Sequence, residues 1–186
     1  MDLKIKESEL LELIKKELPK TTYLKGLQNI EKYLINQAKK ESSLFIYSTR
    51  YESHLDDMSV GLYQMLIQTM KWMGYLGNVI TSFNIEVQIK YALKYLDFLY
   101  SKFPEIKNKT ERLKMAFGAY NCGRKNVNDS LKQGRELEEI HYEGSNTLQG
   151  KWSTYDNVNK MMLKYNIIKE KNADINKRYI DYIFNV

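Results

Sequence analysis

The chain has 186 residues, which is enough to bury one hydrophobic core and short for two separate domains. Its 43% hydrophobic and 12% aromatic content excludes the depleted composition of a disordered chain. A net charge of +6 favours an anionic partner, but it does not select among nucleic acid, a membrane surface and a cell wall. The basic residues are scattered along the chain, as they also are on an ordinary solvated surface.

The single cysteine, Cys122, excludes an intramolecular disulfide, so the fold depends on its core. The first 20 residues carry charges in every turn, which predicts neither a signal peptide nor a membrane span. We therefore expect synthesis in the cytoplasm without a signal peptide, and no membrane insertion. His54 and His141 have no metal-ligand spacing to the cysteine, and there is no Gly-rich phosphate loop, so we expect neither a metal nor a cofactor.

Apolar periodicity predicts two helices in the first quarter of the chain. The first runs from Leu3 to Leu18 and is closed by Pro19. The second begins near Lys25 and ends near Glu41. Its apolar side chains recur in steps of three and four, which places them on one stripe: Leu27, Ile30, Leu34 and Ala38.

Residues 43–51 have no helical period, and their β-branched and aromatic content indicates an extended or irregular connection. A helix is predicted from Val60 to Met73, stopped by the glycines that follow it. The segment from Ile85 to Phe103 is apolar nearly all round, which predicts a long buried helix.

The remaining elements are also helical. Thr110 is predicted to cap a helix that begins at Glu111 and ends before Gly123. A long polar loop is expected from Gly134 to Ser153, and a last helical region from Tyr155 to the C-terminus. The predicted fold class is therefore all-α.

Glu41 is the most informative single residue, because the apolar stripe of the second helix leads to it. A carboxyl group there is partly desolvated and lies at the negative end of the helix dipole. Both effects raise the pKa of the carboxyl group and keep a general acid protonated near neutral pH. The alternative is that Glu41 lies just beyond the helix and is simply solvated.

Four short motifs stand around Glu41 in a fixed order. They are KKESSLF at the end of the second helix, GLYQ at 61–64, FNIEVQIKYALKYL at 83–96 and AYNCG at 119–123. Their order and spacing resemble the soluble lytic transglycosylase (SLT) family, which shares the lysozyme-like fold with goose-type lysozymes. The family patterns are Glu-Ser at a helix end, Gly-Leu-Met-Gln at a helix start, Asn-Ile opening a long helix, and Ala-Tyr-Asn-Ala-Gly. The resemblance spans 30–126, and Cys122 departs from it in place of the last alanine.

The resemblance implies an all-α, lysozyme-like domain that cleaves the MurNAc–GlcNAc β-1,4 bond of peptidoglycan with one glutamate as acid and then base. Glu41 takes that role. Tyr120 would hydrogen-bond Glu41 and orient it, and Ser59, Gln64 and Asn121 would line the sugar groove. The acceptor is either the 6-hydroxyl of the sugar, giving a 1,6-anhydro product, or water, as in a hydrolytic goose-type muramidase.

Three further carboxylates compete for a role. A second Glu-Ser pair begins at Glu52, but it follows a segment without helical period and stands only nine positions before Gly61, so Glu41 is the better assignment. Asp56 and Asp57 are candidates for a second carboxylate that activates water, as goose-type enzymes are thought to use. Their alternative is a polar loop or cap before a helix at Ser59.

We expect one lysozyme-like domain, with an N-terminal helix in 1–24, a catalytic core in 25–130 and a C-terminal loop and helices in 131–186. Its partner would be peptidoglycan glycan strands, with no nucleic acid, and the protein would be a monomer. A lytic domain without a signal peptide is typical of a phage endolysin released through holin-type membrane holes. A virion-associated or secretion-apparatus muramidase, an inactive wall-binding protein and a basic helical nucleic-acid-binding protein remain alternatives, although no clustered basic helix supports the last.

Overall fold

The computed structural model describes residues 3–137, 154–164 and 166–185, with side chains described up to residue 132 in the first of these ranges. These residues fall into two compact units that divide between Asp97 and Phe98. The expected subdivision at 24/25 and 130/131 stays a prediction.

Within its described residues, the first unit contains five α-helices, two 3₁₀ helices (Leu18–Lys20 and Leu24–Gly26) and a small sheet. The helices are α1 (Glu7–Glu17), α2 (Ile30–Ser42), α3 (Ile67–Trp72), α4 (Val79–Ser82) and α5 (Ile85–Ser101), whose last residues belong to the second unit. The sheet has three antiparallel strands in the order β1 (Thr49–Glu52), β2 (Asp57–Val60) and β3 (Met65–Leu66). Thr49 pairs with Val60, and Ser59 pairs with Leu66.

The core of the first unit is built from the apolar faces of these helices. The stripe predicted for α2 is confirmed, because Ile30, Leu34 and Ala38 are buried. Burial of such side chains is the main favourable term in folding, at about 25 cal/mol per Å² of apolar surface removed from water. Further buried members of this core are Leu10, Ile14, Leu24, Leu62, Met70, Ile89, Leu93 and Leu96.

The first helix starts later than periodicity predicts, because the residues before it pair with another segment. The N–H of Ile5 donates to the Leu44 carbonyl at 3.1 Å, and the N–H of Ile46 donates to the Leu3 carbonyl at 3.1 Å. The second helix also starts later, at Ile30, because Asn29 has a left-handed backbone with φ +59°. The N-terminal segment therefore holds the chain immediately after α2.

The helix predicted from Val60 to Met73 is wrong in its first half. Val60 ends β2, residues 61–64 form a turn, and the helix begins only at Ile67. Gly61 and Gln64 have positive φ values of +75° and +45°, which a helix cannot contain. A short strand, a turn and a helix in succession can also place apolar residues every three or four positions. The apolar pattern therefore did not indicate that the helix begins only after the turn.

The second unit contains α6 (Lys109–Cys122), α7 (Arg124–Leu137), α8 (Tyr155–Lys164) and α9 (Glu170–Asn185). The helices that periodicity predicts after residue 108 and after residue 154 are confirmed. The cap of α6 is Asn108 rather than Thr110, since the Asn108 Oδ1 accepts hydrogen bonds from the N–H groups of Thr110 and Glu111. The loop expected from Gly134 is wrong for residues 134–137, which continue α7, and 138–153 lie outside the described residues.

The core of the second unit is apolar and aromatic. Phe117 of α6 packs edge-on against Phe184 of α9, with ring centroids 5.7 Å apart. Other buried members are Leu113, Met115, Ala116, Val127, Leu131, Tyr155, Val158, Met162, Ile180 and Ile183. Within the parts of the chain that are described, no helix is long and apolar enough to cross a membrane.

Candidate active site

Glu41 lies inside α2, one residue before its end, and is half-buried. The interpretation of a solvated residue beyond the helix is therefore excluded. Around it on the helix, Gln37, Ala38 and Ser42 are all buried, and the Ser42 hydroxyl donates to the Ala38 carbonyl at 3.0 Å. A carboxyl group in this position is held by a rigid helical turn and is only partly accessible to water.

The chain reverses immediately after Glu41. Ser43 and Leu44 both have left-handed backbones, with φ values of +53° and +68°. The N–H of Ser43 closes the helix on the Lys39 carbonyl at 2.9 Å, and the Lys39 ammonium group forms an ion pair with Glu7 of α1 at 2.8 Å. Two successive left-handed non-glycine residues are costly and persist only where the surrounding contacts fix them. The geometry at the end of α2 is therefore imposed by its neighbours.

The turn at 61–64 is fastened to the chain that follows Glu41. The Gly61 N–H donates to the Ser48 carbonyl at 2.7 Å, and the Gln64 side-chain amide donates to the same carbonyl at 3.1 Å. The Gln64 amide also lies 2.9 Å from the Gly61 carbonyl. The turn and the chain after Glu41 are thus one hydrogen-bonded frame.

Ser59 and Gln64, both predicted to line the sugar groove, contact each other. The Ser59 hydroxyl lies 3.1 Å from the Gln64 Oε1 and 3.2 Å from the Arg50 carbonyl. Ser59 is 2% exposed, whereas Gln64 is half-buried. Their side chains hold the sheet and the turn together, and their contact with sugar stays a prediction.

Gln88 of α5 is a buried side chain of this frame that the sequence pattern did not single out. Its Oε1 accepts from the Leu62 N–H at 2.8 Å, and its amide nitrogen lies 3.1 Å from the carbonyls of both Ile46 and Phe83. Gln88 therefore joins the turn, the chain after Glu41 and the segment before α5. The signal available in the sequence was one uncharged polar residue inside a helix that is otherwise apolar on that face.

Neither aspartate caps a helix at Ser59, since Ser59 lies in β2. Asp57 is 8% exposed, and its two carboxylate oxygens accept from the N–H groups of Met58 at 2.8 Å and Gln68 at 3.0 Å. The second of these bonds satisfies an unpaired N–H in the first turn of α3. Asp56 is exposed in the hairpin and accepts from the Tyr51 hydroxyl at 2.6 Å, which raises the pKa of Tyr51.

Glu52, the competing glutamate, lies in β1 and not on a helix. Its carboxylate forms an ion pair with the exposed Arg50 guanidinium at 2.5 Å. Glu52 is half-buried like Glu41, but its guanidinium partner favours the charged carboxylate, and it lacks the helix-end position that favours a protonated acid. These placements separate the two glutamates by local structure.

Tyr120 and Asn121 lie near the end of α6 in the second unit, and both are half-buried. The Asn121 side-chain amide donates to the Asn176 Oδ1 of α9 at 2.6 Å. The predicted hydrogen bond between Tyr120 and Glu41 stays a prediction. The placement of Asn121 beside α9 shows that part of this motif also joins two helices of the second unit.

Cys122, the departure from the family pattern, is half-buried beside Tyr155. Burial raises the pKa of the Cys122 thiol to about 12, so the sulfur is a neutral packing group at physiological pH. Tyr155 fits there because Gly118 has no side chain: a Cβ at residue 118 would lie 2.0 Å from the Tyr155 ring. Burial also raises the pKa of Tyr155 well above its ordinary value.

Among the described residues, no group of three or more histidine, cysteine or acidic side chains could hold a metal ion. The side chains of the candidate site offer carboxyl, amide and hydroxyl groups. Of the four carboxylates considered from the sequence, Glu41 is the one that lies at a helix end.

A comparison with protein families agrees with the motif order. Residues 24–143, more than half of the chain, match the model of the family described as "Transglycosylase SLT domain". No curated protein and no solved structure gives a significant match to the chain. The matched range contains the end of α2, the sheet, the turn at 61–64 and α6.

Proposed function

Because the chain belongs to the transglycosylase SLT domain family, we propose that Glu41 is the single acid and base with which it cleaves peptidoglycan. Members of this family are lytic transglycosylases that act on peptidoglycan, so the chain is a glycosidase-type enzyme of the cell wall. The all-α, lysozyme-like fold class expected from the motifs is confirmed. The proposal concerns the catalytic residue, the product and the biological setting.

In the proposed reaction, the protonated Glu41 carboxyl group donates its proton to the oxygen that bridges MurNAc and GlcNAc. The bond from that oxygen to the anomeric carbon breaks, and positive charge develops on the sugar. The Glu41 carboxylate then takes the proton of the MurNAc 6-hydroxyl while the oxygen of that hydroxyl attacks the anomeric carbon. The product is 1,6-anhydroMurNAc, no water is consumed, and Glu41 ends protonated.

The observation that carries this proposal is the position of Glu41 at the end of α2. Partial burial and the negative end of a helix both favour the neutral carboxyl form that an acid requires. After the chain reversal that follows Glu41, the Gln88 and Gln64 side chains hold the carbonyl groups of Ile46 and Ser48. A fixed acid supports proton transfer, because misplacement by about 1 Å is costly to catalysis.

The placement of Asp57 supports the anhydro product over hydrolysis. Asp57 is buried, and both of its oxygens accept main-chain N–H groups. A carboxylate that activates water needs an oxygen directed at that water. The hydrolytic goose-type outcome remains the alternative, and the product distinguishes the two.

The first test compares Glu41→Gln with Glu52→Gln on purified peptidoglycan, measured as loss of turbidity. Glu41→Gln removes the proton donor and keeps the shape, so we expect the rate to fall by about a thousandfold, the middle of the range for general acid–base catalysis. Glu52→Gln removes only a surface ion pair, so its rate should stay within about twofold of the parent. Retained activity in the Glu41 variant would show that the assignment is wrong.

Mass spectrometry of the released muropeptides tests the acceptor. The anhydro product is lighter than the hydrolysed product by one water molecule. Muropeptides at the hydrolysed mass alone would replace the proposed transglycosylase with a muramidase while leaving Glu41 as the acid.

Tyr120, Asn121, Ser59 and Gln64 complete the proposed substrate-binding set, by resemblance to the family motifs. Tyr120→Phe removes one hydroxyl and keeps the ring, so it separates a polar role from packing. We expect a lower rate on peptidoglycan with an unchanged unfolding midpoint. An unchanged rate would assign Tyr120 to packing alone.

We also propose that the enzyme acts as a phage endolysin that reaches the wall after holin-type release. The net charge of +6 supports attraction to an anionic wall. Binding to purified wall should therefore weaken as salt screens the charges. A lysis rate that does not change with salt, or tight binding to nucleic acid at physiological salt, would contradict this setting.

A further inference from the structure

The segment from Trp72 to Ile80, which includes the end of α3, the loop after it and the start of α4, exposes an unusual amount of apolar surface. Leu76 is 98% exposed, Ile80 80%, Trp72 62% and Val79 37%. Single exposed apolar residues are normal on a protein surface, but four within nine positions form a cluster. We call these four residues the apolar loop.

The backbone of the apolar loop is held in place by a buried tyrosine. Tyr75, next to the fully exposed Leu76, is 7% exposed, and its hydroxyl donates to the Asn78 carbonyl at 2.8 Å. Its ring packs edge-on against Tyr91 of α5 at 5.3 Å, and the Tyr91 hydroxyl donates to the Gly74 carbonyl at 3.2 Å. The exposure of Leu76 is therefore a property of a fixed loop.

A lysine stands next to the apolar loop in the sequence, and a second lysine contacts its backbone. Between Met58 and Ile85 the sequence has one charged residue, Lys71. From α5, the Lys94 ammonium group donates to the Met73 carbonyl at 2.5 Å, and the Lys90 ammonium group lies 5.5 Å from the Tyr91 ring. The nearest acidic residue along the chain, Glu86, is paired with Lys16 of α1 at 2.7 Å.

We propose that the apolar loop docks peripherally on a lipid bilayer that carries anionic headgroups. Leucine, isoleucine and tryptophan side chains at such a surface enter the boundary between headgroups and acyl chains. Lysines beside them meet the negative headgroups, each strengthening binding by about fivefold. Exposed apolar side chains with lysines close to them complement an anionic bilayer. Docking of this kind does not involve a membrane-spanning segment.

Flotation with vesicles tests the proposal, using vesicles of phosphatidylglycerol and phosphatidylcholine in equal amounts beside vesicles of phosphatidylcholine alone. The parent should float with the anionic vesicles and remain free from the neutral ones. Leu76→Ser with Ile80→Ser should weaken the partition by about tenfold or more, because two apolar side chains no longer leave water. The matched control is Leu163→Ser with Ile175→Ser, two exposed apolar residues of α8 and α9, and it should bind like the parent.

A charge-matched pair of variants tests the lysines. Lys71→Gln with Lys90→Gln should weaken binding by about 20-fold at low salt, whereas the exposed pair Lys107→Gln with Lys109→Gln removes the same charge elsewhere and should have little effect. Equal losses in both pairs would reduce the effect to net charge and overturn the proposal.

Absence of parent binding to anionic vesicles would also overturn it. So would a parent that self-associates by light scattering and becomes monomeric on Leu76→Ser with Ile80→Ser, since the loop would then join copies of this chain. None of these measurements uses catalysis, so they succeed or fail independently of Glu41.

Discussion

The side-chain oxygen of Gln88 accepts a hydrogen bond from the main-chain N–H of Leu62 at 2.8 Å, which anchors the turn at 61–64 to α5. The amide nitrogen of the same side chain faces the carbonyls of Ile46 and Phe83, each at 3.1 Å. One buried amide thus satisfies groups from three separate segments. Its carboxylate isostere could satisfy only the first of them.

We therefore predict that Gln88→Glu destabilises the protein by about 3 kcal/mol, because a buried carboxylate would face two carbonyl oxygens. Chemical denaturation measures the change in the free energy of unfolding. Gln28→Glu, at an exposed position, makes the same chemical change and should alter stability by less than about 0.5 kcal/mol. Equal effects at the two positions would refute a role for the Gln88 amide.

Gly61 contacts the same side chain, because the turn brings its backbone against Gln88. A Cβ at residue 61 would lie 2.3 Å from the Gln88 amide, and the φ of Gly61 is +75°. Gly61→Ala should therefore cost about 3 kcal/mol from backbone strain and overpacking together, and it should also lower the rate on peptidoglycan. Gly26→Ala is the control, since no atom lies within 4 Å of a Cβ there. Thermal unfolding and turbidity assays on both variants test the difference.

Much of this frame follows from sequence patterns, but the contacts within it do not. The stripe of Ile30, Leu34 and Ala38 is a local periodicity, so it predicted the helix that carries Glu41. The turn at 61–64 depends on Gln88, 24 or more positions away, and no local pattern encodes such a partner. The break after Val60 was therefore missed even though the GLYQ motif that forms the turn was recognised.

A similar limit applies to the second unit, where the close approach of two helices requires a glycine at residue 118. Gly118 reads as a poor helix former inside α6, and only the ring of Tyr155, 37 positions later, explains it. We predict that Gly118→Ala lowers stability by about 2 kcal/mol although alanine is the better helix former, because the Tyr155 ring must move. A more stable Gly118→Ala protein in thermal unfolding would show that the contact is unimportant.

Asp57 provides a test of the proposed product. In Asp57→Asn the side chain keeps one oxygen, so the N–H groups of Met58 and Gln68 can no longer both be satisfied, and stability should fall by about 1 kcal/mol. If Asp57 only anchors α3, the ratio of anhydro to hydrolysed muropeptides should not change in mass spectrometry. A shift of that ratio in Asp57→Asn, absent from an Asp56→Asn control, would assign Asp57 to the chemistry instead.

The Cys122 thiol makes the free energy of unfolding depend on pH in the alkaline range. Burial holds its pKa at about 12, above the ordinary thiol value of 9.0, so the folded protein keeps a proton that the unfolded chain loses. The stabilising contribution is therefore complete below about pH 9 and is lost as the pH rises towards the folded pKa.

Cys122→Ala, which restores the alanine of the family motif, should retain activity on peptidoglycan and should lose less unfolding free energy than the parent between about pH 8 and pH 10. The pKa of Tyr155 is raised mainly by burial and also by its contact with Cys122, so the difference between the two proteins reports on the Cys122–Tyr155 pair. Identical pH profiles for the two proteins in denaturant titrations would show that the Cys122 thiol is not protected in the folded state.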